Sequence, residues 1–299
     1  MTAAVTVGLP VFNGERYLGQ TLESLLAQSF TDFEILVSDN GSTDGTEQIA
    51  RAYAQADRRV RFTRHPTNRG AAWNYSHLVG QAGTPYFKWS GHDDLYDPAY
   101  LGACVSELEG CAQDVALCYP RTQLIDADGR PKREYDDGLD LRSGSPSERL
   151  RSLLEHIGLA NAVFGVIRTA ALRRTRLIAP YNDSDIVLLV ELALIGRFHE
   201  LPETLFERRM HAGQAYQANR SARDVSAWFD PAGVRRFVLP RGRRFVETAR
   251  AIARADLALV ERARCEAILL RAWGPKDLYH TLREVPAAVR GLRSARAPA

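Results

Sequence analysis

The sequence predicts an α/β fold with a mainly parallel central sheet flanked by helices and followed by C-terminal helices. Three observations carry that expectation. The first third alternates short β-branched runs with segments of helical apolar spacing, as parallel sheets with crossover helices do. Polar loops follow successive strands, where such sheets bind ligands. The chain has 299 residues, enough to bury a full core without staples.

Val5-Thr6-Val7-Gly8-Leu9 reads as a strand stopped by Pro10, and Phe33 to Val37 as a second, stopped at Ser38-Asp39-Asn40-Gly41. Between them Tyr17, Leu18, Leu22, Leu25 and Leu26 recur at helical spacing. Thr43-Asp44 is expected to open another helix, through Ile49, Ala50 and Tyr53, and Val60-Arg61-Phe62 a third strand. Tyr86 to Trp89 is an apolar strand closed by the acidic loop Gly91-His92-Asp93-Asp94, and Pro98 starts a helix. Leu117 to Tyr119 and Thr122 to Ile125 read as strands, and residues 131–147 as a mobile loop. Ile186 to Ile195 is apolar on nearly every side, hence a buried helix that Gly196 ends as a C′ residue. Two short strands, Phe198 to Pro202 and Leu205 to His211, follow it. Beyond residue 215, Val246, Ala249, Ala253, Leu257 and Val260 form one stripe, and Cys265, Ile268, Leu269 and Ala272 another. The organisation is thus a nucleotide-binding half (1–115), a second half (116–215) and a basic helical extension (216–299).

Net charge is +3, but residues 235–299 carry 15 basic against 6 acidic side chains. That tail fits a solvated helical face, a homodimer contact or a peripheral membrane contact; no aromatic interleaving supports nucleic acid. A truncation before Phe245 is expected to cost solubility or dimerisation more than nucleotide affinity. The four cysteines form no CxxC pair and read as reduced core residues of a cytoplasmic protein. No signal peptide and no membrane span is visible.

Two adjacent carboxylates at a strand end repel unless a cation compensates them, which makes Asp93-Asp94 a candidate metal loop. Helix capping by Asp94 or Asp97 is the structural alternative. The first loop, Pro10 to Glu15, carries one glycine and no lysine, which excludes both a P-loop and a GxGxxG dinucleotide fingerprint. A diphosphate ligand is then held through a metal. Asp39, just past a strand, is placed to accept the N3–H of uracil or thymine, while an Asx-turn serves the same run of residues structurally.

Val7-Gly8-Leu9-Pro10-Val11-Phe12-Asn13-Gly14-Glu15, then Leu36-Val37-Ser38-Asp39-Asn40-Gly41-Ser42-Thr43-Asp44, Asn68-Arg69-Gly70 with Asn74, and the Asp93-Asp94 loop resemble the family 2 glycosyltransferases in order and spacing. The resemblance covers about residues 3–215 and implies a GT-A fold. It further implies inverting transfer of a sugar from a UDP- or dTDP-sugar, with Mg²⁺ or Mn²⁺, to a glycan, lipid-linked or small-molecule acceptor in glycoconjugate biosynthesis. Pro10, Phe12, Asn13 and Glu15 would line the base and ribose pocket, Asp39 would read the pyrimidine, and Arg69 would lie near base or diphosphate. Asp93 would be the metal ligand, closing the family's DxD motif, whose first aspartate is Gly91 here; His92 or Asp94 would substitute. Arg209 and His211 take the positions of a closing Arg-x-His motif, which makes His211 a further metal candidate. Asn182-Asp183 aligns with the family's Glu-Asp pair, so Asp183 would be the catalytic base, with Asp185 the alternative. The rival readings are a nucleotidyltransferase, which the first loop disfavours, and a non-catalytic nucleotide-sugar-binding protein.

Overall fold

Four parallel strands open the chain: β1 (Val5–Val11), β2 (Phe33–Asp39), β3 (Val60–Arg64) and β4 (Tyr86–Trp89). The computed structural model describes residues 3–213, 222–233, 239–275 and 278–285. Their crossover helices are α1 (Leu18–Leu26), α2 (Thr46–Ala56) and α3 (Ala71–Gln81). All seven residues of β1 are buried, because helices cover both faces of a parallel sheet. β1 pairs with β2 on one side and β4 on the other, so successive connections diverge from β1. A crevice opens at such a switch point, and the loops after β1, β2 and β4 line it.

The second half is mixed. It holds the short β5 (Leu95–Tyr96), α4 (Tyr100–Gly110), β6 (Val115–Ile125), β7 (Pro131–Tyr135) and α5 (Pro146–His156). It continues with β8 (Val166–Arg168), α6 (Thr169–Leu172), α7 (Ser184–Ile195) and β9 (Arg197–Arg209). The strand order is β3-β2-β1-β4-β8-β6-β9-β5, with β7 on β6. β8 is antiparallel to both β4 and β6, and β6 runs parallel to β9. Among the described residues the helices after residue 215 include α8 (Ala222–Phe229), α9 (Pro240–Arg254) and α10 (Leu259–Ala272). One buried cluster joins the sheet to α1, α2 and α4, and the other joins it to α3, α5, α7, α9 and α10.

Several expectations need correction. Residues 131–147 are not a free loop: Pro131–Tyr135 is an edge strand, and Leu139 and Leu141 are buried behind it. Its Lys132, Arg133 and Glu134 are exposed, the polar composition that keeps edge strands from pairing further. The two short strands of residues 198–211 are one strand of 13 residues. Pro202 survives inside it because the β6 register jumps from Leu201 to Thr204, leaving Pro202 and Glu203 in a bulge. Gly196 ends α7 in extended conformation, φ −160°, rather than as a left-handed cap. The second helix starts at Thr46, with Asp44 accepting from the Thr46 amide.

The first C-terminal stripe is also different from its expectation. α9 buries Arg244, Glu247, Thr248, Ala251 and Ile252, while Val246 is exposed and Val260 lies exposed on α10. Its inward face is built on charge. Glu247 accepts from Arg176 and Arg243, and Arg244 stacks 4.1 Å from the Trp273 ring. Apolar periodicity cannot reveal such a face. Residues 216–221 and 286–299 of the expected extension lie outside the described residues.

Candidate active site

The loops after β1 and β2 are stitched into one rim. The Asn13 amide donates to Ser42 Oγ at 2.8 Å, and Asn13 Oδ1 accepts from the Thr43 amide at 2.9 Å. Asn13 has φ 52°, a left-handed conformation that asparagine tolerates. Glu15 carboxylate accepts from the Gly45 amide at 2.7 Å, so Asn13 and Glu15 shape the rim through these bonds. Pro10 lies buried within β1, whereas Phe12 is 39% exposed and available to a flat ligand.

Asp39 is fully buried at the end of β2, with Oδ1 accepting from the Ser42 amide at 2.9 Å. Its Oδ2 receives no hydrogen bond; Arg64 Nε lies 3.3 Å away but aims no N–H at it. A buried carboxylate oxygen left without a donor is a ready acceptor for a ligand N–H. Asn40 holds the neighbouring loop by donating to Asn68 Oδ1 and Gly70 O and accepting from the Arg69 amide. The Arg69 side chain is exposed and lies 3.7 Å over the Trp73 ring.

The acidic loop after β4 forms a second cluster. Asp93 Oδ2 sits 2.9 Å from His211 Nε2, and Asp94 Oδ1 accepts from the Arg209 amide at 3.0 Å. Burial alone would raise the Asp93 carboxyl, but the His211 hydrogen bond and the charge of His92 outweigh it and hold Asp93 low. Burial, with the Asp93 charge beside it, raises Asp94. The Arg209 guanidinium is buried and donates to Asp93 O, Ala127 O and Gln20 Oε1, which makes it a strut. Tyr17 ties this cluster to the first rim: its ring lies 4.8 Å from that of His211 and 4.6 Å from the Arg209 guanidinium. His92 lies against Gly14, 2.7 Å from the position a Cβ there would take. An ionised carboxylate beside an imidazole is a donor set that fits Mn²⁺ better than the oxygen-preferring Mg²⁺; Asp93 and His211 would hold the ion, leaving its other positions to diphosphate and water.

The two candidate bases face different surroundings. Asp183, the residue before α7, has φ 63° and pairs with the buried Arg244 at 3.4 Å. Two residues on, burial and then the Asp183 charge push the Asp185 carboxyl up to about 6. The hydroxyl of the half-buried Tyr75 is raised by burial and, after it, by the charges of Asp93, Asp94 and Asp185. Arg208 is a cation common to Asp94, Asp185 and Tyr75, with Lys88 also acting on Asp94, while the Arg208 Nη1 donates to Leu159 O at 2.8 Å and to Asn161 Oδ1. Tyr75 and Arg208 escaped the sequence reading. The alternation of a strand sends Arg208 and Arg209 to opposite faces, a signal that was present in the Arg-Arg-x-His run.

Sheet order and rim define an α/β domain of GT-A type. The family model described as Glycosyl transferase family 2 matches residues 6–178, and the chain belongs to that family. It is 34% identical over 124 residues to the uncharacterized glycosyltransferase RT0329 of Rickettsia typhi, covering 41% of this chain and 37% of that one. To the glycosyltransferase GlyG of Streptococcus pneumoniae it is 26% identical over 117 residues, 39% of either chain. The chain thus spans about two fifths of the length of these curated relatives. In fold it is similar to S. aureus TarS 1-349 in complex with UDP-GlcNAc, TM-score 0.64 at 19% identity, over 90% of this chain and 71% of that one. It is also similar to the mannosyltransferase PcManGT of Pyrobaculum calidifontis in complex with GDP-Man and Mn2+, TM-score 0.54 at 16% identity, over 99% and 89%.

Proposed function

We propose that this chain transfers a sugar from a UDP- or dTDP-sugar to an acceptor hydroxyl with inversion, and that Asp185 is the base. The carrying observation is the contrast between the two carboxylates: Arg244 Nη1 lies 3.4 Å from Asp183 Oδ2, while Asp185 stands two residues on in the first turn of α7. The acceptor oxygen attacks the anomeric carbon as its proton passes to Asp185, and the bond to the diphosphate oxygen breaks. Mg²⁺ or Mn²⁺ at Asp93 and His211 supplies positive charge to the leaving diphosphate. Asp39 Oδ2 accepts the pyrimidine N3–H, Phe12 packs on the base, and Arg69 approaches the phosphates or base. Asn13, Glu15 and Pro10 shape the pocket, and His92 and Asp94 complete the rim on the sugar side. The family membership and the UDP-GlcNAc and GDP-Man complexes of the structural neighbours support a nucleotide-sugar donor.

The acceptor in this reading belongs to glycan or glycolipid assembly. No described helix is long and apolar enough to cross a membrane. The test is a donor panel with and without Mn²⁺, run on wild type, Asp185→Asn and Asp183→Asn. UDP and dTDP should bind and CDP, which lacks the N3 proton, should not. Asp185→Asn should keep UDP affinity while transfer falls about 10²- to 10⁴-fold. Normal transfer by Asp185→Asn with an inactive, UDP-binding Asp183→Asn would return the role to Asp183.

A further inference from the structure

Outside the proposed active site, at the far end of α4, three side chains of metal-ligating type converge. Glu107 lies in the last turn of α4 and Cys111 one helical turn on, at its C-cap. His199 reaches them from β9, its side chain buried. His199 Nδ1 lies 2.7 Å from Glu107 Oε1 and 3.3 Å from Cys111 Sγ, and Sγ lies 3.5 Å from Oε1. Among the described residues this is the group of three whose donor atoms all fall within 4.8 Å of one another.

We infer that Glu107, Cys111 and His199 form a second cation site, which takes one borderline-soft divalent ion of the Zn²⁺ class through carboxylate, thiolate and imidazole. Tetrahedral coordination with bonds of about 2.0–2.3 Å places such donors about 3.3–3.6 Å apart. Two of the three measured separations already meet that. The third must open by roughly half an ångström, which the Glu107 side chain can supply because it is 31% exposed. Oxygen-preferring ions such as Mg²⁺ gain little from a thiolate, so the site and the Asp93–His211 pair select different metals. Arg142 and Arg197 are the cations whose charge bears on Cys111, and each is engaged elsewhere, Arg142 by Asp140 at 2.8 Å and Arg197 by Asp114. Binding releases the Cys111 thiol proton to solvent and leaves the ring proton of His199 on Nε2. That nitrogen is buried without a hydrogen-bond partner, so the site lacks the outer support of tight structural zinc centres. An affinity about 10- to 100-fold below such centres follows. The occupied site would staple the end of α4, which begins just after the acidic loop, to β9, which carries Arg208 and Arg209.

The test uses Co²⁺, whose bond to a thiolate gives a near-ultraviolet charge-transfer band that carboxylate and imidazole alone do not. The intact chain should develop the band to one equivalent and lose it when Zn²⁺ is added. Cys111→Ser should abolish the band, Glu107→Gln should weaken binding, and Asp93→Asn should leave the band intact. In the unsubstituted protein Zn²⁺ should slow alkylation of Cys111, mapped by mass spectrometry. Absence of a band in the wild type, a band that survives Cys111→Ser, or an alkylation rate indifferent to Zn²⁺ overturns the assignment.

Discussion

At Gly91 the departure from the expected aspartate pattern has a steric cause. A Cβ there would come within 2.5 Å of Asp94 Oδ2 and 2.9 Å of Asp93 Oδ1, so the two following carboxylates occupy the space of a side chain. Restoring the pattern with Gly91→Asp should therefore weaken Mn²⁺-dependent UDP binding by about 10-fold or more. Calorimetry with and without Mn²⁺ checks this, and tighter binding would mean that Gly91 is a lost ligand. A second consequence concerns Asp185. A base must be deprotonated, and burial with the neighbouring Asp183 charge moves this carboxyl up to about 6. Turnover should thus fall as pH drops through about 6, rather than through the range of an ordinary carboxylate near 4. A kcat profile flat from pH 7 to pH 5 would remove Asp185 from the role. That Asp39 ends β2 and Asp93 lies in the loop after β4 was legible in the sequence because strand ends announce themselves. Asp183 and Asp185 were not separable, since what distinguishes them is Arg244, which lies 61 residues along the chain on a helix whose docking no local pattern encodes.

β9 works as a double-sided strap across the site. Arg209 closes the acidic loop through Asp93 O and the Asp94 carboxylate, and Arg208 acts on Asp94 and Asp185. The Arg208 charge favours the ionised form of Asp185. Arg208→Gln should move the acid limb of the kcat profile to higher pH, and an unmoved limb would show that Arg208 does not sense the base. Arg209→Leu should act differently, because it leaves Gln20 Oε1 and backbone carbonyls without their donor. A stability loss of about 3 kcal/mol is expected, read by urea unfolding, together with loss of metal-dependent donor binding. The strap itself was read as two strands, since Pro202 carries the signal of a break. Only the pairing with β6 reveals that a bulge absorbs it. The parallel strands β1 to β4 are short apolar runs between strong turn formers and stand where the sequence places them, but β1 runs on through Pro10, the residue expected to stop it, to Val11.

On the scale of the molecule, the C-terminal helices belong to the core, which the sequence alone suggested only as a default. α10 packs on α5, and α9 packs on α7, the helix that carries Asp185. Ile252, Cys265, Leu269 and Trp273 are buried there, Glu261 accepts from the Ser147 amide at the start of α5, and Arg254 reaches Glu191 of α7. Burying four such side chains contributes on the order of 6–12 kcal/mol at about 1.5–3 kcal/mol each. That is comparable to the whole stability of a typical domain, about 5–15 kcal/mol. Ending the chain at Leu239 would also strip Arg244 from Asp183 and Glu247 from Arg176. The sequence leads one to expect a truncation before Phe245 to cost solubility or dimerisation more than nucleotide affinity, whereas the packing leads to a different prediction. The shortened chain should lose cooperative thermal unfolding and UDP binding together, because α5 and α7 are left with an open apolar face. A truncated protein that melts in one sharp transition and binds UDP within about threefold of the intact chain, a difference under about 0.7 kcal/mol, would make the helices an appendage after all.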